Sequence, residues 1–93
     1  MMDQSEKDAG TIAALMLRME EVRLPRARRL QARVNSGELL SDSDIDFLKR
    51  VHNDYQANQA LMRRNPEYFH IMASFIDLYA EIIAKGLENQ KAR

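Results

Sequence analysis

Glu67 and His70 come nearest to a metal site in this 93-residue chain. A Glu-x-x-His pair sets a carboxylate and an imidazole on one helical face, which is half of a di-iron carboxylate centre. The other half needs a second such pair and two more glutamates from facing helices, and the sequence holds one pair only. Glu67 is also explained as a first-turn acid opposite the positive end of a helix dipole. Asp42-Ser43-Asp44-Ile45-Asp46 opens like a calcium loop, but Phe47 stands where the sharp turn needs glycine and Asn53 where a bidentate glutamate closes the cage. Ser41 with Asp44 three residues on reads instead as a capping box, with Asp in place of the usual Glu or Gln. His52, beside Val51, belongs to the core edge of a helix, where Tyr79 is its expected neighbour. Neither histidine is paired with a serine in a nucleophile–base arrangement.

The three glycines, Gly10, Gly37 and Gly86, stand apart, so no glycine-rich phosphate loop is present, and the absence of cysteine excludes thiolate zinc sites and cysteine nucleophiles. The expectation is a protein that is not an enzyme, with no catalytic, cofactor or metal site. Met16, Met19, Met62 and Met72 fall at core spacing and read as packing residues before they read as an adaptable binding surface.

Charge gives a different kind of candidate. Fourteen basic and fourteen acidic residues cancel, yet Arg18, Arg23, Arg26, Arg28, Arg29 and Arg33 crowd one segment. On a helical projection Arg18, Arg26, Arg29 and Arg33 fall within roughly 80° of one another, a basic stripe able to follow a phosphate backbone. The next segment is acidic, with Glu38, Asp42, Asp44 and Asp46. Folding the two side by side would neutralise the stripe within the chain. No aromatic residue is interleaved with the arginines, and no helix-turn-helix spacing is present.

The elements that must position these residues are helices. Hydrophobic residues make up 45% of the chain and charged residues 30%, the balance of a folded domain and not of a disordered tail. Two prolines and three glycines are too few breakers for a β-sandwich. The length allows one domain. Residues 1–8 are polar and are expected to be disordered or frayed, with a single helical domain over 9–90. The first helix is predicted over about 9–35, from Ile12, Leu15, Met16, Met19 and Val22 at helical spacing. Beyond Pro25 the stripe resumes at Ala27, Leu30 and Val34, rotated by roughly 50°. The helix is therefore expected to kink or break at Pro25. Gly37 is the expected left-handed cap.

The second helix is predicted over about 42–64 and the third over about 66–89, with Asn65 as N-cap and Pro66 at the first helical position. Gly86 is expected to weaken the last turn. Short connections make neighbours antiparallel, so the predicted fold is all-α, an up-down-up three-helix bundle. Leu39 and Leu40 are expected to fold onto its end.

On the third helix apolar side chains cover an arc of roughly 200°, wider than the face of a bundle helix needs. The excess, Phe69, Ile76, Ile83 and Leu87, is the predicted apolar interaction face. The expected function is a small non-catalytic module for protein–protein interaction or regulation, acting as a homodimer or with another helical protein. The alternative is a nucleic-acid-binding accessory protein that uses the arginine stripe. No stretch approaches the ~20 apolar residues of a spanning helix, and the acid-rich start does not read as a secretory signal, so no membrane partner is expected and the expected compartment is the cytoplasm.

Overall fold

In the computed structural model residues 3–92 are described, and every regular element among them is helical. The fold class is all-α. The elements are α1 (Gln4–Arg18), a π-helical turn (Met19–Arg23), α2 (Leu24–Asn35), α3 (Asp42–Ala57), α4 (Gln59–Arg64) and α5 (Pro66–Lys91). The molecule is a rod, 57 × 21 × 19 Å. No helix among the described residues is long and apolar enough to cross a membrane.

The first correction concerns the N-terminus. Helix starts at Gln4, with Asp3 as N-cap accepting from the Glu6 amide, and Asp8 is 5% exposed. The expectation of a frayed segment over 1–8 therefore fails over 4–8, while residues 1–2 lie outside the described residues. Polarity and position at the terminus carry no sign of the tertiary clasp on Asp8, set out below.

The second concerns Pro25. The chain neither kinks there in the usual way nor stops. Dihedrals at Arg18, Arg23 and Leu24 are all helical, and the Leu24 amide reaches back five residues to the Met19 carbonyl. Pro25, which has no amide to donate, follows directly as the second residue of α2. A turn that closes on the fifth residue sets the following side chains back around the axis. That is the direction needed to remove the ~50° mismatch between the two apolar stripes. Met19, Ala27, Leu30 and Val34 consequently share one core. Val22, inside the π turn, is thrown outward and is 58% exposed, against its expected place in the stripe.

α2 ends in a Schellman arrangement. Gly37 has φ +96°, its amide bonds to the Val34 carbonyl, and the Glu38 amide bonds to the Arg33 carbonyl. α3 begins at the capping box: Asp44 N–H donates to Ser41 Oγ at 3.1 Å, and Ser41 N–H donates to Asp44 Oδ2 at 2.9 Å.

The helix expected over 42–64 is interrupted at Asn58, which has ψ 10° and whose amide nitrogen Nδ2 donates to the Asp54 carbonyl at 2.8 Å. A side chain that bonds its own preceding turn competes with the backbone ladder, and the helix restarts as α4.

Side-chain contacts link Asp8 to Arg64, Arg23 to Asp54, Arg26 to Phe47 and Arg33 to Asp44. Residue numbers thus rise along α1–α2 while they fall along α3–α4. At one end of the rod Asn65 meets Asp8, and at the other Asn89 meets Val34. Leu30, Val34 and Ile82 are the most deeply buried side chains, joined by Phe47, Leu48, Val51, Met62, Met72 and Phe75.

Gly86 lies inside α5, which continues to Lys91. It is buried because Leu40 from the α2–α3 connection lies on it; a Cβ there would stand 2.6 Å from Leu40 Cδ1 and 2.9 Å from Cγ. Gly→Ala inside a helix ordinarily stabilises by about 0.5–1 kcal/mol. Here Gly86→Ala is expected to lower the unfolding free energy in urea, and the same change in a Leu40→Ala background to raise it by about 0.5–1 kcal/mol. Stabilisation by Gly86→Ala alone would show that Leu40 does not occupy this place.

Candidate functional site

Asp8 receives more hydrogen bonds than any other carboxylate in the chain's described part. Arg64 Nε donates to Oδ2 at 2.9 Å and Nη2 to Oδ1 at 3.0 Å, a two-pronged clamp. Asn65 Nδ2 donates to Oδ2 at 3.0 Å and Gln4 Nε2 to Oδ1 at 2.8 Å. The Arg64 and Asn65 hydrogen bonds, with that of Gln4, hold the Asp8 carboxyl well below the usual carboxylate range.

This cluster ties α1 to the α4–α5 junction and also explains Asn65. Asn65 stands at the cap position of α5 without a capping side-chain bond; its amide serves Asp8 and the Leu61 carbonyl instead. The sequence carries no local signal for this clasp, because its partners lie 56 and 57 residues apart.

A second buried carboxylate, Asp44, sits at the start of α3. Burial pushes its carboxyl up, but the Ser41 amide and the Arg33 guanidinium outweigh that and hold it below its ordinary value. Arg33 donates to both Asp44 oxygens at 3.1 and 3.3 Å and lies 3.6 Å from Glu38.

The basic stripe is thereby divided. Arg33 is ion-paired, and Arg26 lies 4.5 Å above the Phe47 ring and donates to Ser43. Arg29 is exposed, and Arg18 edges a small cavity of about 20 Å³, room for one water. That cavity lies between the π turn and the break at Asn58, with Arg23, Asp54 and Tyr68 among its walls. Arg23 pairs with Asp54, and burial raises the Tyr68 hydroxyl above its ordinary pKa.

The residues considered for metal chemistry are placed apart. Glu67 and His70 are both exposed on α5, with the His70 ring edge-on to Phe69 at 6.2 Å. Among the described residues no three His, Asp or Glu side chains gather as a metal-binding group. His52 stacks on Tyr79, with ring centroids 6.4 Å apart, and is exposed rather than half-buried. Of the methionines, Met19, Met62 and Met72 are core, and Met16 lines a groove against Leu24, Ile71 and Leu78.

The four apolar candidates on α5 lie on one flank. Phe69 is 47% and Leu87 53% exposed, with Ile76 and Ile83 half-buried between them. At the Leu87 end this flank opens into an apolar groove of about 390 Å³ with Leu39, Leu40, Ile45, Ile83 and Gly86 in its walls and Asp42 and Gln90 at its edge. Leu39 (41% exposed) and Ile45 (39%) are residues of this surface that the sequence reading left out. Leu40 packs against the core as expected of the connection, but Leu39 turns outward.

On the opposite flank of α5, Ile71 is 46% exposed in a groove beside Ala9, Ile12 and Ala13 of α1. Comparison with protein-family models, with curated proteins and with solved structures yields no match.

The Asp8 and Asp44 carboxylates bind protons less tightly folded than unfolded. Their contribution is present above the unfolded Asp pKa of about 3.9 and is lost as pH falls through the lower folded values. Asp8→Asn is therefore expected to lower the melting temperature at pH 7 and to flatten its decline between about pH 5 and 2.5. Identical pH slopes for the variant and the parent protein would show that the clasp does not form in solution.

Proposed function

We propose that this chain is a small non-catalytic helical module for protein–protein interaction, and that its contact surface is the outer flank of α5. The architecture we infer is an up-down-up three-helix bundle whose legs are α1–α2, α3–α4 and α5. The observation that carries the reading is the uncovered apolar flank: Phe69 and Leu87 about half exposed, Ile76 and Ile83 half-buried, and the apolar end groove beside Ile45. A contiguous exposed patch of this kind costs solubility unless something covers it.

The arginines support this reading over nucleic-acid binding. A polyanion site needs guanidinium groups free to meet phosphates, and two of the four stripe members are spent on Asp44, Glu38, Phe47 and Ser43. Neutral net charge adds no long-range attraction to nucleic acid. The cytoplasm is the proposed compartment.

Substitution on the flank tests the reading. Ile76→Asp is expected to abolish assembly, whether with itself or with a protein captured by the tagged parent chain, while far-ultraviolet circular dichroism stays helical. Leu87→Asp, at a more exposed position, provides the same loss if Ile76→Asp unfolds. An assembly that survives both changes, or a parent chain that forms none, would refute the proposal.

A further inference from the structure

We propose that the occupant of the α5 flank is a second copy of this chain, docked antiparallel about a two-fold axis beside residue 78; this rests on the interaction reading above. The flank is more regular than its four large residues suggest. Phe69, Ala73, Ile76, Ala80, Ile83 and Leu87 follow one another at spacings of four and three, the 3.5-residue repeat of a two-helix seam. Ala73 is half-buried and Ala80 exposed, so the seam is uncovered between its large members as well. Its length is ~27 Å at 1.5 Å per residue.

The sizes along the seam select its direction. Close packing sets large side chains on small ones. In a parallel pair each residue meets its own copy, so Ala73 and Ala80 leave gaps where Ile76 and Ile83 crowd. In the antiparallel pair about residue 78, Ile76 meets the partner's Ala80 and Ala73 meets the partner's Ile83. Large faces small on both sides of the axis, and an isologous interface repeats each contact twice.

The ends close in the same arrangement. The two-fold carries the partner's Phe69 to the level of Leu87, where the apolar groove of Leu39, Ile45, Ile83 and Leu87 stands open at about 390 Å³. Each copy thus offers one half-exposed aromatic ring at the start of α5 and one apolar socket at its end. Aromatic anchors in apolar pockets are what concentrate binding energy in an interface. The added contacts at Leu39 and Ile45 also widen a single-helix seam toward the ~1,200 Å² or more that stable complexes bury.

Light scattering at tens of micromolar is expected to give twice the mass of one chain, and Phe69→Ala to weaken dimerisation at least tenfold without loss of helix. Because the chain has no cysteine, single-cysteine variants report the direction. Phe69→Cys and Leu87→Cys, mixed and oxidised, should form a disulfide-linked pair, while each variant alone should not, its two thiols lying ~27 Å apart. A monomeric parent chain, or a disulfide in Phe69→Cys alone, overturns the proposal. A monomer that still captures another protein through an Ile76→Asp-sensitive contact removes the second copy as occupant and leaves the interaction reading standing; a monomer that captures nothing removes both.

Discussion

One constraint governs the rest of this fold: a helix interrupted by proline must keep the same face toward a single core on both sides of the interruption. The apolar residues before Pro25 and those after it are out of phase on a regular α-helix. A sharp kink could realign them only by swinging one half of the helix away from its neighbours. The π turn at Met19–Arg23 does it by adding a residue to one turn, so Met19 and Leu30 reach the same core. The cost is local. Val22 is exposed, and a small cavity remains where the widened turn faces the break at Asn58.

The halves of this long helix are held in different ways. α2 is held by burial: Ala27, Leu30 and Val34 are 1–2% exposed against α5. α1 buries no apolar residue fully, and Ile12 and Leu15 are only partly covered. What ties its start to the α4–α5 junction is a polar clasp, Asp8 with Arg64, Asn65 and Gln4. A paired, hydrogen-bonded carboxylate specifies one docking position, because displaced geometries leave charges unmet. Asn89 does the equivalent at the other end. Its amide donates to the Val34 and Glu38 carbonyls where α2 ends, at 2.7 and 2.9 Å.

The polar groups between these ends mostly serve the chain itself, which shapes the functional reading. Arg23, Arg26 and Arg33 are each held by α3: Arg23 by Asp54, Arg26 by Phe47 and Ser43, and Arg33 by Asp44. Chemistry that looked available from composition is thus consumed by folding. Folding leaves apolar side chains uncovered on the flanks of α5, and on the flank bearing Phe69 and Leu87 large side chains and an open groove lie together.

The helical class, the left-handed cap at Gly37, the capping box at Ser41 and the core residues Met19, Ala27, Leu30 and Val34 were legible in the sequence. Each depends on residues within one or two turns of one another, where spacing and side-chain type act directly on the backbone. The role of Asp8, the diversion of Asn65 from capping to the clasp, the burial of Gly86 under Leu40 and the exposure of Leu39 and Ile45 were decided only by the tertiary structure. Their partners stand tens of residues away, and no local preference records which distant side chain will arrive. Pro25 belongs to both: its missing amide made an irregularity unavoidable, but the form of that irregularity followed from the need to bring two apolar stripes onto one core.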